Sequence, residues 1–318
     1  MDLDLVTSIL AIATFAGASL VLATIGEIFT ERVGILNLGV EGMMIMGAVT
    51  GFATAYRTNN VWLGVVVAGI VGGLMALVHA FATITLRADQ IVSGLAITLL
   101  GTGLASFLGQ VIGPDGGPLV GLTGPKFTKW PIPGLSSLPL VGEGFFNQDP
   151  IVYSLFVVVP VSWYFLYKTR PGLYLRAVGE SASTSDAVGV SVFGRRYGYT
   201  VLGGVMAGVA GSHLSLSYTP GWTENLTGGR GWIVIALVIF ATWNPARAVV
   251  GALLFGGVNA IQFRLQAEGT NLPASILNMS PYILTVLVLI LITRTDKLRQ
   301  TIGAPAGLGI PYHREERE

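Results

Sequence analysis

The chain has 318 residues, 52% hydrophobic and only 11% charged, with a mean hydropathy of +0.68. Soluble chains are about 25% charged, so this inventory cannot cover a water-exposed globule and the class is integral membrane. A net charge of +1 excludes the basic stripe of a nucleic-acid binder, and the absence of cysteine excludes disulfides, thiolate nucleophiles and Cys-based metal sites.

The start, Met-Asp-Leu-Asp-Leu, has no Lys or Arg before Arg32. A cleaved signal peptide needs a basic start, so the first apolar run is expected to be a retained span. A membrane helix needs about 20 mostly apolar residues. The predicted spans are 5–26, 33–55, 61–86, 91–112, 150–168, 197–218, 231–243, 247–265 and 281–293. The expected fold is an all-α polytopic helical bundle of about nine spans, with eight to ten allowed. It forms one transmembrane domain over 1–298, followed by a cytoplasmic polar tail at 299–318.

Basic residues in short loops mark the cytoplasmic side. Ten of the 18 fall in two stretches: Lys168, Arg170, Arg176, Arg195 and Arg196, then Arg294, Lys297, Arg299, Arg314 and Arg317. Counting spans back from Lys168 puts the N-terminus outside and the C-terminus inside. The loop 113–149 is then external and 169–196 cytoplasmic.

Two spans are odd. Trp232 to Trp243 makes only about 18 Å of helix. Val33 to Gly42 carries three glycines, an Asn and a Glu where a helix should enter the membrane. The two align: Asn37-Leu38-Gly39 and Asn225-Leu226-Thr227-Gly228 lie 188 residues apart. In the following spans, Asn60, Val66, Gly72-Gly73 and Ala76 fall on Asn244, Val250, Gly256-Gly257 and Ala260 at an offset of 184. This predicts that spans 1–4 (5–112) and 6–9 (197–293) are inverted repeats, turned over by the extra span 150–168. Inverted repeats with broken helices at matching positions point to a transport pathway at the repeat interface. Half-helix N-termini leave N–H donors unpaired and can meet substrate oxygens.

Most of the 43 glycines read more simply as close helix packing. That reading serves less well for Asn37, Glu41, Glu224 and Asn225, polar groups at membrane depth. His79 and His213 lie in predicted spans; each is either a proton relay or bonded to a backbone carbonyl. No Gly-Lys pair occurs, so the chain lacks the phosphate-cradling loop of an ATPase. Carboxylates are nearly absent within the apolar spans, which weakens an ion-driven carrier.

In 176–193, Ser181 or Ser183 can cap a short helix ending at Gly189. Such a helix is marginal alone in water and forms stably against another surface. The loop reads either as a docking element or as an ordinary basic loop.

Four stretches carry a family resemblance. Gly26-Glu27, with Glu31 through Met43, resembles the opening of permease subunits of ABC importers for nucleosides and simple sugars, part of the branched-chain-amino-acid-type permease family. Leu86–Leu95 matches next. Pro131–Leu135 with Phe146–Pro150 follows, and then Arg176–Glu180 with Ala187–Gly189; the likeness covers about 8–300. Ile-Pro-Gly-Leu and Asn-Gln-Asp-Pro lean towards the nucleoside branch.

The resemblance implies a non-catalytic subunit in the cell membrane that binds no cofactor itself. Cytoplasmic ABC ATPase subunits would supply ATP-Mg chemistry. A second permease, homologous or identical, would complete the pathway within membrane lipid, and an extracytoplasmic binding protein would deliver substrate. Nucleic acid is not an expected partner. The coupling residues it implies are Arg176, Gly179, Glu180, Ala187 and Gly189; Ser183-Thr184-Ser185 departs from the family, which often has charge or alanine there. The expected pathway residues are Asn37, Glu41, Gln90, Ser93 and Asn225, with Trp222 and Trp232 for stacking a base. The alternative is an autonomous ion-coupled carrier of a small polar solute. A membrane enzyme lacks any nucleophile–base or metal constellation.

Overall fold

A computed structural model describes residues 3–139, 141–267, 273, 276–277, 279–294 and 303–314. Each predicted span carries a helix. These are α1 (Leu3–Arg32), α2 (Val40–Thr58), α3 (Val61–Ala80) and α4 (Gln90–Val111). A short α5 (Gly142–Phe146) precedes α6 (Pro150–Lys168). Then come α7 (Arg170–Glu180), α8 (Ala182–Ala187), α9 (Val192–His213), α10 (Arg230–Phe240), α11 (Pro245–Ala267) and α12 (Ser280–Arg294). Among the described residues, six helices are long and apolar enough to cross a membrane. α3 and α9 each end in a π-helical turn, at Phe81–Thr85 and Leu214–Tyr218.

Local sequence sets several starts. Asn60 accepts from the Trp62 and Leu63 amides, Asp89 from Val92 and Asp149 from Val152, each filling donors that a helix start leaves free. Pro150 follows Asp149 at the first helical position, where its missing N–H costs nothing. The second span begins later than its hydropathy predicts. Residues 33–39 are not helical and α2 starts at Val40. Gly34 (φ +93°) turns the chain out of α1 there, in the left-handed region that favours glycine.

α9 runs through the middle of the bundle. It lies antiparallel to α1, with Phe15 against His213 and Phe29 against Tyr199. It is antiparallel to α3 through Gly72 and Gly204, where an added Cβ would lie 2.2 Å from the facing carbonyl oxygen. Against α2 it is parallel, Gly47 meeting Gly208 and Gly51 meeting Ser212. α4 is parallel to α2, and α11 antiparallel to α1. Small residues let these backbones approach as dispersion packing in a membrane requires. Of the apolar windows of α1 and α9, 72% is buried, against 28% for α4 and 22% for α6. The first two therefore form the interior. α4 and α6 turn Leu99, Phe107, Val157 and Val161 outward.

One end of the bundle gathers the close of α1, the α3–α4 turn, α7, α8, the start of α9 and residues 303–314. Arg32, Arg87, Arg176, Arg195 and Arg196 cluster at this basic end. The segment 113–149 carries a small antiparallel pair, Trp130–Pro131 with Asn147–Gln148, at the other.

Candidate functional site

The first break is held by side chains from three other helices. The Leu36 amide donates to Gln90 Oε1 (2.7 Å), and its carbonyl lies 3.1 Å from His79 Nε2. Ser93 Oγ sits 2.9 Å from His79 Nδ1. Thr98 donates to the Leu38 carbonyl (2.8 Å), and the Gly39 amide donates to Asn37 Oδ1 (3.0 Å). Asn37 Nδ2 in turn donates to Glu27 Oε2 (3.0 Å). Non-helical backbone at membrane depth persists only where its polar groups find partners in protein or in a water-filled cavity. Gln90, His79, Thr98 and Asn37 supply those partners. His79 is thus bonded to a backbone carbonyl, one of its two predicted roles. His213 differs: its Nε2 lies 3.2 Å from Asp149 Oδ2, both side chains being buried.

The second break runs from Thr219 to Gly229, with Asn225, Gly228 and Gly229 at positive φ. Glu41, in the first turn of α2, reaches it. Its carboxylate accepts from the Thr227 hydroxyl, the Gly229 amide (3.0 Å) and the Gly231 amide (2.6 Å). The donors at the α10 N-terminus are therefore met by protein. Sequence reasoning had left them open to substrate oxygens. Tyr282 donates to the Gly228 carbonyl (2.9 Å), and Arg230 to the Ala16 carbonyl (3.0 Å).

The expected pathway residues divide. Asn37, Glu41 and Gln90 are buried at the first break, with Ser93 half-buried beside them. Trp232 is 39% exposed next to the second break. Trp222 is 1% exposed, its indole against Gly109. Asn225 is exposed at that same far end of α4, where Gln110 donates to Glu224 (3.2 Å). Sequence reasoning missed Thr98, Thr227, Arg230 and Tyr282. Of these only Thr227 carried a signal, in Asn225-Leu226-Thr227-Gly228, the stretch aligned with Asn37-Leu38-Gly39.

At the basic end α7 and α8 form a short helical pair. Ser181 caps α8, its hydroxyl accepting from the Thr184 amide (3.3 Å). Gly189 (φ +83°) closes it: the Gly189 amide donates to Asp186 O and the Val190 amide to Ser185 O, both at 2.9 Å. This paired closure is what a left-handed glycine permits. Ala187, Val188 and Gly189 project outward, while Ala182 and Val190 pack inward. The Arg176 guanidinium lies 5.4 Å over the Tyr167 ring. Gly179 is buried against Arg32 O, and Glu180 is exposed. No group of residues able to hold a metal ion occurs among the described residues.

Known proteins resemble this chain in sequence along most of its length. Residues 8–293 match the family described as branched-chain amino acid transport system / permease component. A Haloferax volcanii protein with the provisional name of glucose ABC transporter permease is 44% identical, over 94% of this chain and 95% of its own length. A nucleoside ABC transporter permease of Lactococcus lactis is 36% identical over 86% and 88%. A guanosine ABC transporter permease of Bacillus subtilis is 33% identical over the full length of both. The chain accordingly belongs to the branched-chain amino acid transport system permease family and is a multi-pass plasma-membrane permease of an ABC transporter.

Proposed function

We propose that this permease forms the translocation pathway of an ATP-driven importer for nucleosides or related simple sugars, energised by a separate ATPase. The observation that carries this reading is the meeting of the two broken segments at Glu41. Broken helices that meet are the expected frame of a substrate path. The substrate would meet neutral groups on the exposed side of the second break: Asn225, Trp232 and Tyr282. Aromatic faces suit a base. Two of the three relatives are named for nucleosides or guanosine. The second reading, a monosaccharide, is favoured by the relative named for glucose.

The inverted repeat draws support from helix direction. α1 runs opposite to α9, and α3 opposite to α11. The same reading has nine spans, an external N-terminus and a cytoplasmic C-terminus, and the basic end supports it. The coupling loop, with Arg176, Gly179, Glu180, Ala187 and Gly189, would dock in an ATPase cleft. A second permease, identical or related, and an extracytoplasmic binding protein would complete the importer. The permease itself would bind no cofactor and catalyse nothing.

Uptake of labelled guanosine and labelled glucose into proteoliposomes holding the complete importer tests this. ATP-dependent guanosine uptake that excess glucose does not compete is expected. Glucose uptake instead would select the second reading. Uptake by the permease alone under a sodium or proton gradient would overturn both.

A further inference from the structure

Residues 303–314 lie across the basic end and bond to α1, the first break, the α3–α4 turn, α7, α8 and α9. The Gly307 amide donates to Gly179 O at the end of α7 (2.8 Å). Two residues on, the Gly309 amide donates to Gly34 O at the start of the first break (3.3 Å). Arg196, 2% exposed on α9, donates to Ile310 O (3.2 Å). Arg314 pairs with Asp186 of α8 (3.0 Å). A further bond runs from the Ala306 amide to Glu180 Oε2 (3.2 Å).

The consecutive bonds of Gly307 and Gly309 join the coupling segment to the first break through three residues of chain. From Gly34 the break continues to Asn37, which bonds Glu27, and to Glu41, which bonds the second break. α8 is held through Asp186, which pairs with Arg314. Between its start and the 303–314 segment lies a hollow of about 350 Å³, bounded by Ser181, Ser183, Ile310 and Tyr312.

We propose that residues 303–314 are a strap that positions the α7–α8 coupling segment on the base of α1, and that ATPase-driven movement reaches the broken helices while this strap is seated. Gly307 and Arg314 are positioning residues; neither would touch substrate or ATP. The proposal rests on the importer reading above. It adds that the coupling element is built from two distant parts of the chain.

The test uses the complete importer in proteoliposomes, with substrate transported per ATP hydrolysed as the readout. A chain ending at Ile302 should still co-purify with the ATPase and still allow hydrolysis, with substrate moved per ATP falling about tenfold, within the usual range of coupling between sites. An unchanged ratio would overturn the strap. Should the truncated chain fail to assemble, Gly307→Pro decides by the same ratio, since it removes the amide bonded to Gly179 and sets ring atoms against the Gly179 carbonyl, unseating the strap at that point. A wild-type complex whose ATP hydrolysis drives no uptake would refute the importer reading instead, leaving the two failures distinct.

Discussion

Glu41 and Gly231, 190 residues apart in sequence, are joined by a 2.6 Å hydrogen bond from the Gly231 amide to the Glu41 carboxylate. The same carboxylate accepts from Gly229 and Thr227. A helix start carries unpaired donors and partial positive charge. In α10 the answering anion comes from another helix. The approach is close: a Cβ at Gly231 would lie 2.4 Å from the Glu41 amide nitrogen.

Glu41→Ala is expected to cost about 3 kcal/mol, the scale of leaving buried donors unsatisfied. Thermal unfolding in detergent should show it as a clear fall in Tm. Gly231→Ala should fall comparably, because its methyl group collides with the α2 backbone. Gly257→Ala, with nothing within 4 Å of the added carbon, should not fall. A wild-type Tm for Glu41→Ala would mean that the cap contributes little.

Asn37 and Glu27 form the second buried link. Asn37→Leu strands the Glu27 carboxylate, of which Oε1 already lacks a hydrogen-bond partner. The single change should destabilise by about 1–3 kcal/mol. Replacing both partners with Leu should recover part of that loss: the stranded Glu27 carboxyl is gone, while the Gly39 amide still lacks the Asn37 oxygen that accepted from it. If the double variant is as unstable as the sum of the two singles, the residues do not act as a pair.

The positions of the helices were legible in the sequence, because apolar runs and helix starts are local signals. Asn60, Asp89, Asp149 and Ser181 all cap helices at or near predicted ends. The two breaks were legible as well, from glycine and asparagine where a span should begin. Their internal wiring was not. Gln90 and Asn37 looked like pathway lining because both are neutral and polar at depth, and the same property suits them to satisfy broken backbone. Which use applies depends on packing between helices 54 residues apart, as with Leu36 and Gln90. The seating of 303–314 was equally hidden, since the bonds from Ala306, Gly307 and Gly309 use backbone amides that any residue but proline supplies.

Two tryptophans separate packing from recognition. Trp222 is buried against Gly109, so Trp222→Ala should cost about 3–5 kcal/mol in stability. Trp232 is 39% exposed beside the second break, so its loss should spare Tm. If it stacks on a base, Trp232→Ala should weaken nucleoside uptake by about 1–3 kcal/mol, the worth of one stacking contact. Uptake kinetics measured alongside unfolding would show the two effects apart. Equal loss of Tm in both variants would remove Trp232 from the pathway.

Val188 offers the most direct test of docking. It is 74% exposed at the tip of α8, where its own chain does little for it. A charge there should leave unfolding unchanged, since surface substitutions away from packed features stay within about 0.5 kcal/mol. Buried in an apolar ATPase cleft, the same charge would carry a desolvation cost. Val188→Asp should therefore keep its Tm while the ATPase dissociates during purification. Gly189 is a less clean probe, because φ +83° makes any side chain there strain the turn as well as fill the cleft. Retention of the ATPase by Val188→Asp, at wild-type stoichiometry and transport rate, would place the docking surface elsewhere on the basic end.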